Sequence, residues 1–100
     1  MKLITKSIVA KLPMTGDNPD EGDRARVWLK LFTPWANWTW YVTEYDPDTG
    51  EAFGLVNGFE KELGYFNLGE IAALKGPFGL TVERDLYWSD KTTLGEARTI

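Results

Sequence analysis

The chain contains neither cysteine nor histidine. Without cysteine it has no disulfide framework and no thiolate metal site, which suits a reducing cytoplasm. Without histidine it lacks the side chain that most often moves protons near neutral pH and most often binds a metal. Nucleophilic or acid–base chemistry would have to rest on carboxylates, hydroxyls or lysine. Ser7 and Ser89 have no histidine to activate them, and neither stands in a G-x-S-x-G elbow. No phosphate-binding loop or dinucleotide fingerprint is present. These absences predict a protein that is not an enzyme and needs no cofactor and no metal.

Long apolar runs are missing as well. Residues 1–11 mix three lysines with short apolar pairs. A secretory leader needs roughly 7–15 apolar residues in a row, and a membrane span about 20. The expectation is therefore a cytoplasmic protein with no membrane partner.

What is present is enough for a core. Hydrophobic residues make up 43% of the 100 residues and aromatics 14%, among them five tryptophans. Each buried aromatic removes roughly 150–250 Å² from water, at about 25 cal/mol per Å². One hundred residues make one domain, so residues 1–100 are expected to fold as a single globular unit. The net charge of −4 is unevenly spread. Residues 1–16 carry three lysines and no acid, whereas residues 17–62 carry ten acids against four bases. An acidic middle argues against direct binding of nucleic acid, which depends on Lys and Arg neutralising phosphates.

Along the chain, Ile4 to Leu12 predicts a short helix with Thr5 as its cap and Pro13 as its stop. Met14 to Asp23 is rich in turn formers and has no hydrophobic period, giving an exposed acidic loop. Arg26 to Thr33 alternates, with Val27, Leu29 and Leu31 on one face. Trp38 to Asp46 is a second strand, with Trp38, Trp40 and Val42 on one face and Thr39, Tyr41, Thr43 and Tyr45 on the other. Asp46-Pro47-Asp48-Thr49-Gly50 is a turn returning into a third strand, Glu51 to Asn57. Tyr65 and Phe66 belong to a fourth strand, and Leu80 to Trp88 to a fifth. Asn67-Leu68-Gly69-Glu70 and Thr93-Leu94-Gly95-Glu96 have the form of capping boxes that open helices. The predicted fold class is α+β, an antiparallel sheet of about four to five strands with two to three short helices packed on one face.

Several strings carry a family resemblance. They are Phe32-Thr33-Pro34, Asn37-Trp38-Thr39-Trp40-Tyr41, Thr43-Glu44-Tyr45-Asp46 and Phe53-Gly54-Leu55-Val56, with the densest in Gly58-Phe59-Glu60-Lys61-Glu62-Leu63-Gly64-Tyr65-Phe66. Gly76-Pro77, Gly79-Leu80 and Glu83-Arg84-Asp85-Leu86-Tyr87 complete the set. Together they resemble a family of small domains of unknown function carried by bacterial plasmids, integrative elements and phages. That resemblance implies the setting of a mobile element, where small acidic proteins include anti-CRISPR and antirestriction inhibitors, some of which imitate DNA. The partner so implied is a protein complex that handles nucleic acid, with a CRISPR effector the first candidate.

The residues expected to carry such binding are the acidic set Asp17, Asp20, Glu21 and Asp23, joined by Asp46, Asp48 and Glu51. Gathered on one surface, they would steer the domain toward a basic cleft. Scattered, they are ordinary solubility charge. Trp35 sits in a turn beside Pro34 and is expected to be an exposed aromatic anchor. An alternative is an accessory module for plasmid conjugation or replication that recruits protein through its aromatic surface. A third reading, a carboxylate hydrolase acting on carbohydrate, draws on Glu60 with Glu62 or Glu83 with Asp85, each pair two apart on a strand. A solvated strand face explains the same spacing. Asp46 to Glu51 begins like a calcium loop but lacks the later ligands, and a hairpin turn explains every residue in it.

Overall fold

The computed structural model describes residues 2–20 and 22–100. Five strands form one antiparallel sheet: β1 (Leu29–Phe32), β2 (Thr39–Tyr45), β3 (Glu51–Asn57), β4 (Lys61–Asn67) and β5 (Glu83–Arg84), in the order β4-β3-β2-β1-β5. Three short helices accompany it: α1 (Lys6–Val9), α2 (Leu68–Ala72) and α3 (Leu94–Ala97). The α+β class inferred from the sequence is the observed one.

Local chemistry explains where the helices begin. The Thr5 hydroxyl accepts from the Ile8 amide at the start of α1. The Asn67 carboxamide accepts from the Gly69 and Glu70 amides and opens α2. Thr93 and Glu96 form a complete, reciprocal capping box on α3. The β2–β3 turn is equally local. The Asp46 carboxylate accepts from the Asp48 amide, and Gly50 takes the left-handed conformation at φ +82°.

The core has two parts, one on each face of the sheet. On the first, Leu29, Leu31, Trp40, Val42 and Ala52 meet Leu3 and Leu12, which flank α1, together with Leu68 and Ile71 of α2 and Val82. On the second, Tyr41 and Leu55 pair across β2 and β3 beneath Leu94 and Ala97 of α3. The helices therefore do not all share one face. Leu94 and Ala97 are three apart, which puts both on the side of α3 that meets the Tyr41–Leu55 pair.

Two breaks in alternation depart from the sequence expectation. Val27 belongs with the α3 face while Leu29 and Leu31 belong with the other. The reason is a change of partner. The Val27 amide donates to the Thr92 carbonyl and Arg26 bridges Thr93, so β1 proper starts only at Leu29. In β2 the register with β3 shifts between Val42 and Glu44, a β-bulge at Thr43. The Thr43 hydroxyl donates to the Phe53 carbonyl at 3.0 Å. Beyond the bulge Tyr45 turns onto the α1–α2 face, opposite Ala52, and Glu44 turns to the α3 face, opposite Phe53.

Gly54 stands beside this bulge. A Cβ there would lie 1.9 Å from the Tyr41 carbonyl oxygen, which is backbone and cannot rotate away. Phe78 presents the converse situation. It lies in a turn at Pro77–Gly79, fully exposed, with φ 59° and ψ 26°. The left-handed conformation costs a non-glycine residue about 1–2 kcal/mol.

Gly54→Ala is expected to destabilise the domain by about 3 kcal/mol or more, because the strand must part from β2 to admit the methyl. Chemical denaturation checks this. By the same measurement Phe78→Asn should raise stability by about 0.5–1 kcal/mol, since Asn tolerates the left-handed region and no buried contact is lost.

Candidate functional site

The two acidic loops meet. The Tyr45 amide donates to the Pro13 carbonyl, the Thr15 hydroxyl to the Glu51 carbonyl at 3.0 Å, and the Gly16 amide to Glu44 Oε1 at 2.7 Å. These three bonds hold the 13–20 segment against the turn end of the β2–β3 hairpin. Asp17, Asp20, Glu44, Asp46, Asp48 and Glu51 therefore share one end of the sheet. Among the described residues, the ion pairs run to Asp23, Asp85 and Asp90, and none involves those six carboxylates. Like charges so gathered raise the local negative potential.

The remaining expected residues fall elsewhere. Asp23 is turned toward α3 and pairs with Arg98 Nε at 2.7 Å. That pair is exposed, so it contributes at most about 1 kcal/mol. Glu21 lies outside the described residues. Trp35 is half-buried rather than exposed, packed against the α1–α2 core, with its ring against Gly76. A Cβ on Gly76 would come within 2.2 Å of that ring. The short glycine surface seats the tryptophan, and the turn position alone did not indicate it.

Sequence reasoning also missed three residues. Register aligns Glu44 with Phe53 and Phe53 with Tyr65, so β2, β3 and β4 each place one side chain in a single row on the α3 face. The Phe53 and Tyr65 rings lie 4.9 Å apart and tilted by 59°. Above the row, Asn18, Asp20 and Gly22 of the acidic loop and Leu94 of α3 close a cleft of about 290 Å³. Only the bulge at Thr43 brings Glu44 to this side, and nothing local in the sequence marks that bulge.

A second surface lies at the other end of β2. Trp35, Trp38, Trp40 and Leu74 line an apolar recess of about 340 Å³ with Thr33 and Ala36. Trp38 stacks on Trp40 at 6.1 Å and meets Phe59 edge-on at 5.5 Å. Glu60 and Glu62 border an adjoining shallow recess with Trp38, Val56 and Phe59. The other carboxylate pair is engaged differently: Asp85 lies 3.8 Å from Lys30 Nζ and accepts from the Tyr87 amide. A strand of seven residues is roughly 20 Å long, which separates the tryptophan recess from the acidic end.

Burial raises the pKa of the Tyr41 phenol, so it remains a neutral hydroxyl through the physiological range. Among the described residues, no three His, Cys, Asp or Glu side chains converge as a metal site requires. No described helix is long and apolar enough to cross a membrane.

No curated protein and no solved structure matches the chain. The model of a family described as "Protein of unknown function (DUF2958)" matches residues 3–98, nearly the whole domain just described, and the chain belongs to that family.

Proposed function

We propose that this domain is a non-enzymatic binding protein whose acidic end occupies the basic, nucleic-acid-handling cleft of a host defence complex and inhibits it. The first candidates are CRISPR effectors and restriction enzymes, so the protein would act as an anti-CRISPR or antirestriction factor of a mobile element. The observation that supports this reading is the convergence of two acidic segments about thirty residues apart in sequence. Three hydrogen bonds join them, and apart from Asp23 none of their carboxylates has an ion-pair partner among the described residues. A surface of one sign complements a surface of the other, and it acts on encounter rate and specificity more than on contact area.

A second reading has its own support. Phe78 projects fully exposed from a strained turn, and Gly76 of the same turn is packed on Trp35. A strained backbone that displays an aromatic ring is the sort of feature that accompanies binding. On this reading the domain recruits a conjugation or replication protein through its aromatic end, and the acids are incidental.

Binding to purified CRISPR effector and restriction complexes, with and without target DNA, separates the two. The inhibitor reading expects competition with DNA and an affinity that falls by more than about tenfold from low to physiological salt. It also expects binding to be lost when Asp17, Asp48 and Glu51 are reversed to lysine. Binding that ignores salt and charge reversal but disappears with Phe78→Ala supports the aromatic reading instead. If none of the complexes binds, the inhibitor reading is rejected.

A further inference from the structure

The cleft on the α3 face has the makings of a receptor for one kind of side chain. Two aromatic residues in mutual contact, Phe53 and Tyr65, line it, and the acids Glu44 and Asp20 are among its lining residues. No lysine or arginine is among its lining residues. Leu63 and Leu94 add apolar side chains to the lining. The volume of about 290 Å³ lies just under the roughly 300–1,000 Å³ of small-molecule sites, which suits an inserted side chain better than a cofactor. Tyr65 is 65% exposed, so its ring is available from solution.

These groups select for a cation with a flat face. Aromatic rings attract cations through their quadrupole, and a guanidinium also stacks on a ring and sheds water more readily than an ammonium. Glu44 is held for the task. Its Oε1 accepts from the Gly16 amide at 2.7 Å, which fixes the carboxylate and leaves its other oxygen for a second donor. The bulge at Thr43 sets Glu44 in the row with both rings, so acid and aromatic surface are positioned by the sheet rather than by a mobile loop.

We infer that this cleft is an arginine-binding site, in which the guanidinium of a partner's arginine stacks on the exposed Tyr65 ring, beside Phe53, and pairs with Glu44 and Asp20. The inference rests on the reading that the acidic end meets a basic partner, and it names the group that anchors there. The charges of Asp17, Asp46 and Asp48 steer the partner in, and the cleft receives one arginine.

The site can be tested without the partner. Isotope-labelled protein is titrated with N-acetyl-arginine amide and, separately, with its neutral isostere N-acetyl-citrulline amide, while backbone amide shifts are followed. The expected result is saturable shifts at Gly16, Glu44, Phe53 and Tyr65 with arginine and none with citrulline. Glu44→Gln keeps an acceptor for the Gly16 amide and should weaken binding at least tenfold. Tyr65→Ala should do the same, whereas Tyr65→Phe, which keeps the ring, should bind as the parent does. The inference is overturned by equal shifts with citrulline, by no saturable shifts at all, or by binding that survives both Glu44→Gln and Tyr65→Ala. Its failure is distinct from failure of the broader reading. If arginine does not bind while lysine reversal at Asp17, Asp48 and Glu51 still abolishes capture of the effector, only the cleft is wrong. If arginine binds as described while that reversal changes nothing, the cleft stands and the inhibitor reading falls.

Discussion

The bulge at Thr43 is the constraint on which the rest of this domain depends. One extra residue in β2 reverses the side-chain phase for everything after it. With no bulge, Tyr45 would face α3 and Glu44 would face the α1–α2 core, where a carboxylate without a partner is costly. With it, Tyr45 joins the core, its amide meets the Pro13 carbonyl, and Glu44 is free to hold the Gly16 amide. The Thr43 hydroxyl, buried at the bulge, is satisfied by the Phe53 carbonyl. Gly54 completes the device by letting β3 approach the Tyr41 carbonyl more closely than any side chain would allow. Core packing, loop attachment and cleft geometry thus share one irregularity.

That dependence explains why the acids gather where they do. A loop of turn-forming residues has no hydrophobic reason to lie in one place. Here it is fastened by hydrogen bonds to β2 and β3, close to a hairpin turn whose own acids serve backbone geometry. Two unit charges about 8 Å apart in water repel by only roughly 0.5 kcal/mol, so an exposed cluster of this kind is tolerable for the fold. The same charges act together on an approaching basic surface, where desolvation strengthens each of them. On the proposed reading, this asymmetry between a small cost alone and a large effect on contact would let the cluster serve binding without weakening the fold.

Much of the architecture was legible in the sequence because it is encoded locally. Thr5, Asn67 and Thr93 announce their helices by side-chain caps. Asp46 to Gly50 announces the hairpin, and the alternation of Trp40, Val42, Leu29 and Leu31 announces the first core face. What escaped is nonlocal. Val27 changes faces because a distant segment, Thr92 and Thr93, takes its backbone. The face chosen by α3 follows from its packing on Tyr41 and Leu55, which no property of residues 93–97 dictates. The row of Glu44, Phe53 and Tyr65 needs both the bulge and the β3–β4 register before it exists. Of the expected site, Asp17, Asp20, Asp46, Asp48 and Glu51 do come together, while Asp23 is drawn off by Arg98.

Trp35 shows how turn position can mislead. A tryptophan beside proline in a turn looks displayed, yet the ring folds back because Gly76 offers a flat surface for it and the recess beside Leu74 shelters the rest. Trp38 is seated the same way on Gly58, where a Cβ would come within 2.3 Å of its ring. Two distant glycines thus convert candidate contact residues into packing. At this end Phe78 is fully exposed, held in the left-handed conformation in the turn that begins with Gly76, and Phe59 is nearly as exposed. Trp35 packs on Gly76, at the base of that turn. The aromatic end therefore presents exposed rings, Phe59 and Phe78, beside apolar recesses, whereas the acidic end presents carboxylates around a cleft. Surfaces so different in chemistry, separated by the length of β2, are suited to different contacts.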